Sequence, residues 1–205
     1  MLHIVKRDTK VNFKILHRMV DYQLFDIDRG SIQTMKELEV YAENTRSLCL
    51  YMNLHLLSID DERANLIASH LGRALGICDV LKKAPYYIAV HRDYIPIDVL
   101  MKHNVQSDKI YRRQDKESII AEEFFDVVLE VAAYARKHLQ IARQIQDEAP
   151  LTQHCHRAFL LAQECDYFLD LLEKQNFNPF DEVFRKNSYV TVPYAMFNAA
   201  KAGKF

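Results

Sequence analysis

Acidic residues recur along the chain at the four-residue spacing of a metal site. One pair is Asp166 and Asp170, and Glu122, Asp126 and Glu130 repeat the spacing upstream. In a helix this spacing brings the carboxylates to one face. Enzymes that act on diphosphates use such pairs to hold Mg²⁺, which neutralises the departing group. Solvated acidic faces have the same pattern, so the spacing does not separate a metal site from an ordinary surface.

A second group of possible ligands is His154, Cys155 and His156, with Cys165 further along the chain. Sulfur and imidazole ligands of this kind bind Zn²⁺ when four of them converge in a tetrahedron. Adjacent residues of a helix point about 100° apart, so one helix cannot direct all three at a single ion. This pattern favours a partly exposed helix start, and we predict no metal site.

Two glycines, Gly72 and Gly76, lie four residues apart inside an apolar segment. A glycine within a helix costs roughly 1 kcal/mol relative to alanine, which indicates a structural reason for each. The missing side chains let a second helix approach closely, or let an apolar ligand lie against the backbone. The spacing is compatible with both interpretations.

A segment rich in tyrosine and charge follows Pro85. Its members are Tyr86, Tyr87, His91, Arg92, Asp93, Tyr94 and Asp98. Segments that follow a helix end carry binding residues more often than helix faces do. Arg92 has the geometry to hold a phosphate or a carboxylate. Alternatively, it pairs with Asp93 or Asp98 on a solvated loop.

Helices must position these groups, because only 4 of the 205 residues are glycine and 5 are proline. Apolar residues recur at three- and four-residue steps, as in Phe13, Leu16, Met19, Val20 and Leu24. The predicted helices are 9–28, about 24 residues around 38–56, one from Asp60-Asp61 that ends at Pro85, 96–103, 116–148, 151–174 and 193–201. The chain is therefore predicted to be a single all-α bundle.

Composition excludes several classes of protein. Hydrophobic residues make up 49% of the chain and charged residues 27%, the balance of a globular protein. The net charge of −1 lacks the basic excess of a nucleic-acid binder. No apolar run is long enough to suggest a transmembrane helix. We expect no disulfide, because Cys49, Cys78 and Cys165 fall within apolar helical patterns that suit buried thiols.

Three segments, in their order along the chain, resemble the squalene/phytoene synthase family. They are Leu38–Ala42, Leu71–Lys83 and Arg92–Leu100, and the resemblance extends over about 15–175. It implies an isoprenoid-synthase-like bundle of long helices around a central trough. The residues expected to line this trough or its mouth are Tyr41, Asn44, Gly72, Gly76, Lys83, Tyr87, Arg92, Tyr94 and Asp98.

The chain departs from the family where the catalytic metal would bind. The second aspartate pair of the synthases falls here on Lys83 and Tyr87, and the first pair would precede residue 15. A lysine repels Mg²⁺ and cannot ligate it. The resemblance therefore implies that residues 1–205 form the C-terminal part of the family fold, without the N-terminal helices. It also implies no catalytic residue, no metal and no cofactor.

Shorter strings resemble one branch of the family, the mitochondrial assembly factors of respiratory complex I that carry a phytoene-synthase-like domain. The strings are 41–45, 68–72, 84–87 and 111–116. The resemblance implies a non-catalytic protein of the mitochondrial matrix, peripheral to the inner membrane. Such a protein would bind early complex I subunits, assembly intermediates or a lipid, and no nucleic acid. The alternatives are an active prenyl transferase and a helical scaffold that does not use its trough.

Overall fold

The structure is a computed structural model that describes residues 12–92, 94–106, 122–148, 153–185, 190–203 and 205. Every regular element in these ranges is helical, which confirms the all-α prediction. The elements are α1 (Phe13–Asp28), α2 (Met35–Ala42), a π-helical turn (Glu43–Ser47), α3 (Leu48–Leu56), α4 (Glu62–Ala89), α5 (Ile97–Lys102), α6 (Glu122–Glu148), α7 (Gln153–Ala158), α8 (Ala162–Lys174), a 3₁₀ turn (Glu182–Arg185) and α9 (Thr191–Ala202). In the described part of the chain, no helix is long and apolar enough to cross a membrane.

Some sequence predictions lie outside the described residues. They are the start of the long helix before residue 122, the break at Pro150, the string 111–116 and the side chains of Asp93, Glu122 and His154.

The two longest helices, α4 and α6, pack along each other and form the centre of the bundle. Their contacting faces repeat every three to four residues, as the sequence pattern predicts. The fully buried side chains on these faces are Ile67, Leu71, Ile77, Leu81, Phe124, Val127, Val131, Ala135 and Leu139. The predicted apolar stripes of both helices therefore form the core.

Helix starts are fixed by short polar side chains. Asp61 Oδ1 accepts hydrogen bonds from the amides of Arg63 (2.8 Å) and Ala64 (3.4 Å) at the start of α4. Thr34 Oγ1 accepts from the amide of Glu37 (3.2 Å) at the start of α2. Each cap satisfies amides that have no partner within the helix. The predicted Asp60-Asp61 start is thus confirmed.

Helices α2 and α3 form one continuous segment around the π turn, and α4 crosses this turn at its two glycines. A Cβ on Gly72 would lie 2.5 Å from the amide nitrogen of Ser47, and one on Gly76 would lie 2.7 Å from Cα of Ala42. The hydroxyl of Ser47 donates to the carbonyl of Ser69 at 3.0 Å, which completes the contact. Both glycines therefore serve close helix packing, the first of the two interpretations.

Pro85 does not end α4, contrary to the prediction. The helix continues for one turn to Ala89, and the amide of Val90 still donates to the carbonyl of Tyr86 at 3.1 Å. Proline removes its own amide from the hydrogen-bond ladder and its ring crowds the carbonyl four residues earlier, so other contacts must hold the helix beyond it. Here the ring of Tyr87 packs on Tyr94 at 4.2 Å between centroids and holds the last turn in place.

The helix predicted over 151–174 is two helices, α7 and α8, separated by a turn at 159–161. In this turn the amides of Phe159 and Ala162 donate to carbonyls three residues earlier, which tightens the chain. The fully buried Phe159 ring packs on Phe205 at 5.3 Å between centroids, a contact that the sequence pattern did not indicate.

Several side chains that were predicted to be buried are exposed. Cys49 is exposed, whereas Cys78 and Cys165 are buried with their sulfurs 3.2 Å apart as free thiols. On α1, the side chains of Val20 and Leu24 are each 58% exposed, although their spacing is typical of a core-facing stripe. The opposite face of α1 carries the polar contacts that attach this helix to the bundle.

The close approach of α2 and α4 yields a stability prediction. Gly76→Ala should lower the free energy of unfolding by about 1–3 kcal/mol, because the added Cβ meets the backbone of Ala42, which cannot rotate away. Equilibrium urea denaturation measures the difference. The matched control is Gly30→Ala, where a Cβ would meet no described atom within 4 Å. Equal stability of both variants and the parent would contradict the packing role.

Candidate functional site

Four of the nine residues expected to line the trough or its mouth are in contact with one another: Tyr41, Tyr87, Arg92 and Tyr94. The rings of Tyr22, Tyr41, Tyr87 and Tyr94, which we call the tyrosine cluster, come from α1, α2, the end of α4 and the segment before α5. Ring centroids are 4.2 Å apart for Tyr87 and Tyr94, 5.2 Å for Tyr41 and Tyr94, and 6.2 Å for Tyr22 and Tyr41. Tilted pairs at such distances are favourable aromatic contacts.

A buried carboxylate anchors the tyrosine cluster. The hydroxyl of Tyr94 donates to Oδ2 of Asp26 at 2.6 Å, and Nη1 of Arg92 donates to the Tyr94 oxygen at 3.1 Å. Asp26 is 7% exposed, and its Oδ1 has no hydrogen-bond partner among the described residues. An unpaired buried acceptor is costly, so the bond from Tyr94 matters for the fold.

Arg92 has contacts that neither sequence interpretation named. Besides Tyr94 it contacts the carbonyl of Ile27, with Nη2 at 3.4 Å. Asp98, one of its predicted partners, instead accepts from the amide of Met35 at 3.2 Å and joins α5 to the start of α2. The other predicted partner, Asp93, lies outside the described residues. Arg92 therefore joins the tyrosine cluster to the end of α1.

The phenols of this cluster stay neutral at physiological pH. Burial and the hydrogen bond to Asp26 raise the pKa of Tyr94 to about 12. Burial also raises the pKa of Tyr41 well above its usual value, and Tyr87 and Asp26 add to the shift. A neutral phenol at these positions can donate a hydrogen bond or present its ring. It does not serve as a general base near pH 7.

Asn44 and Lys83 are close to Tyr41 and Tyr87 along the chain, at three and four residues' separation. Asn44 is buried in the π turn, where its Oδ1 accepts from Nε of Arg18 at 2.9 Å and its Nδ2 donates to the carbonyl of Val40 at 2.8 Å. Lys83 is exposed on α4, one turn before Tyr87 and therefore on the same helix face. The structure thus gathers Tyr41, Tyr87, Arg92 and Tyr94 with a nearby cation.

The acidic pairs of the sequence face basic side chains. Asp166 forms an ion pair with Arg143, and Asp170 lies 3.1 Å from Nη2 of Arg136. Glu130 accepts from Lys102 at 2.8 Å and contacts Nε2 of His103 at 2.8 Å.

Asp166, Asp170 and Glu130 therefore each have a basic partner in the structure. Of the possible zinc ligands, His156 contacts Nε2 of Gln146 through its Nδ1 at 2.9 Å. Within the described residues, no three acidic, histidine or cysteine side chains are placed to hold a metal ion.

Sequence reasoning missed a partly buried polar network between α2, the π turn, α4 and α6. Nδ1 of His138 lies 2.9 Å from Nδ1 of His70, and its Nε2 lies 2.9 Å from Oε1 of Glu39. Glu43, one turn after Glu39, accepts from Ser69 at 2.9 Å and forms an ion pair with Arg73 at 3.0 Å, and it also accepts from Tyr51. The available signal was a histidine, His138, within the apolar stripe of α6.

Comparison with known proteins identifies the family. The sequence model of squalene/phytoene synthase matches residues 1–193, so the chain belongs to the squalene/phytoene synthase family. Proteins named "NADH dehydrogenase (ubiquinone) complex I, assembly factor 6" are similar to it: the Homo sapiens protein is 35% identical over 80% of this chain, and the Rattus norvegicus protein is 34% identical over the same share. A homolog from Dictyostelium discoideum is 30% identical over 86% of the chain.

The match covers 47% of each of these three proteins, so the chain spans about half the length of the curated relatives it matches. Two solved structures have the same fold. A dehydrosqualene synthase superposes with a TM-score of 0.74 at 20% identity, over 98% of this chain and 68% of that one. A squalene synthase from Alicyclobacillus acidocaldarius gives 0.72 at 15%, over 83% and 62%. These likenesses confirm the isoprenoid-synthase fold.

The buried bond between Tyr94 and Asp26 can be tested by removing one hydroxyl. Tyr94→Phe should destabilise the protein by about 1–3 kcal/mol, because it leaves the Asp26 carboxylate buried without this donor. Thermal unfolding at constant pH measures the loss. Tyr86→Phe is the matched control, since Tyr86 is 63% exposed. A Tyr94 variant no less stable than the Tyr86 variant would refute the anchoring role.

The histidine network predicts an acid-dependent loss of stability. Burial, the neighbouring His138 and the cation Arg73 lower the pKa of His70 below its usual 6.5, so His70 is neutral in the folded state. As the pH falls, His70 is protonated in the unfolded chain before it is protonated in the folded protein. The stability that neutral His70 contributes is therefore present above about pH 6.5 and is lost below it. Urea midpoints of the parent should decline below that pH more steeply than those of His70→Gln. Parallel profiles would count against the prediction.

Proposed function

We propose that this chain acts in the assembly of mitochondrial respiratory complex I as a non-catalytic member of the squalene/phytoene synthase family. The carrying observation is its similarity, at 34–35% identity over 80% of its length, to proteins named complex I assembly factor 6. Fold and family alone would not support an assembly role, because one fold hosts many functions.

The residues at the expected metal site support a non-catalytic protein. Ionisation of a diphosphate requires Mg²⁺, which binds through oxygen ligands including carboxylates. The two positions hold Lys83, an exposed cation, and Tyr87, whose ring is stacked on Tyr94. Neither residue is a carboxylate, and the lysine repels the ion.

The surface proposed to bind a partner is the trough mouth, formed by Tyr41, Asn44, Lys83, Tyr87 and Arg92. Aromatic rings together with a cation suit a protein segment or a lipid with an anionic group. The proposed partners are early complex I subunits or assembly intermediates. The proposed place is the matrix, peripheral to the inner membrane.

The second candidate is a prenyl transferase of the squalene/phytoene synthase type. Family membership and the TM-scores of 0.72 and 0.74 to two synthases favour it. The two candidates differ in a direct assay. We expect no turnover of farnesyl or geranylgeranyl diphosphate with Mg²⁺ or Mn²⁺, and turnover by the unmodified chain would overturn the non-catalytic proposal.

The assembly role can be tested in cells that lack their own assembly factor. Expression of the chain should raise the amount of assembled complex I on native gels. Lys83→Glu should reduce this gain, because it reverses the charge at the mouth. The matched control Lys174→Glu, at an exposed lysine that ends α8, should not. No gain from the parent would contradict the assembly role. Equal gains from parent and Lys83 variant would contradict the mouth as the binding surface.

A further inference from the structure

An apolar stripe runs along the outer face of α1. Its members are Leu16 (37% exposed), Val20 (58%), Leu24 (58%) and Ile27 (64%). Their spacing of four, four and three residues places them on one helix face. Single exposed apolar side chains are common, but a continuous exposed row is typical of an interaction site. We call these four residues the α1 stripe.

The α1 stripe cannot turn inward, because the opposite face of α1 is attached to the bundle. Asp26 accepts from Tyr94 at 2.6 Å, and Arg18 donates to Asn44 at 2.9 Å. The Tyr22 ring lies against Tyr41, with a centroid distance of 6.2 Å. Three contacts, spread over two turns, fix which face points outward. The stripe is therefore presented on a rigid helix.

The charges of α1 distinguish between possible partners. The exposed charged side chains of α1 are basic in its first half, at Lys14 and Arg18, and acidic in its second half, at Asp21 and Asp28. An anionic membrane surface would attract a basic face, which α1 lacks. If instead a second helix with the same charge order lies antiparallel to α1, its acidic half lies opposite the basic half of α1, and its basic half lies opposite the acidic half.

A second copy of α1 has this charge order. If two copies cross antiparallel about an axis near residue 22, Val20 of each meets Leu24 of the other and Leu16 meets Ile27. In the same arrangement Lys14 approaches Asp28 of the other copy. Each surface then contacts its own equivalent, as a two-fold symmetric dimer requires. We propose that the α1 stripe is the interface of a homodimer with antiparallel α1 helices.

The expected dimer is weak. Sixteen residues of helix are roughly 24 Å long. Four side chains on one such helix cover less area than the roughly 800 Å² that each partner buries in a standard interface. We therefore expect dissociation on dilution in the micromolar range. Sedimentation velocity of the 205-residue chain, from about 1 to 200 µM, should show the sedimentation coefficient rising with concentration. A monomer at every concentration would overturn the proposal.

Val20→Glu should make the chain monomeric throughout that range, because it buries a carboxylate in the centre of the interface. The matched control is Phe197→Glu on α9, since Phe197 is 67% exposed and lies away from the α1 stripe. Circular dichroism checks that both variants fold. A dimer that survives Val20→Glu but is lost with Phe197→Glu would assign the interface to α9 and refute the proposal.

A charge exchange tests the antiparallel register and leaves the apolar residues intact. Lys14→Glu and Asp28→Lys should each weaken the dimer, since each places like charges opposite one another. The double variant restores opposite charges across the interface and should recover most of the loss. A double variant weaker than both single variants would refute this arrangement. Binding of monomeric parent to anionic vesicles through Val20 would show instead that the stripe meets a membrane.

Discussion

The backbone contact between α4 and the π turn is the constraint on which the rest of the fold depends. At Gly72 and Gly76 the backbone of α4 lies so close to Ser47 and Ala42 that a Cβ at either glycine would clash. This approach fixes the rotation of the segment Met35–Leu56 against α4. With this rotation, Glu39 meets His138 and Glu43 meets Arg73. The same rotation places the ring of Tyr41 against Tyr94 in the tyrosine cluster. One packing contact therefore orients α2 for both the histidine network and the tyrosine cluster.

Helical periodicity predicts helices and core faces well where two long helices pack along each other. It predicted the contacting faces of α4 and α6, because a buried stripe must be apolar along its whole length. It was wrong at Pro85, where contacts of Tyr87 with a distant segment outweigh the local effect of proline. It was wrong for the burial of α1, because periodicity shows that a face is apolar but not what covers it.

The candidate site was predicted in part. The ring contacts of Tyr41, Tyr87 and Tyr94 join three residues that the family resemblance had grouped, and their place at a trough mouth stays a prediction. Asp26 was not predicted, because α1 shows an apolar pattern on the other side and a single aspartate there looks solvated. Its role depends on a hydroxyl 68 residues away, and no local pattern contains a contact of that range.

The same carboxylate links the site to the outer surface of the protein. Asp26 orients α1 through Tyr94, and Tyr94 stacks on Tyr87, one turn after Lys83. A ligand that displaced the Tyr94 hydroxyl would leave the Asp26 carboxylate without its donor and loosen the attachment of α1. The tyrosine cluster and the attachment of α1 to the bundle therefore share one hydrogen bond.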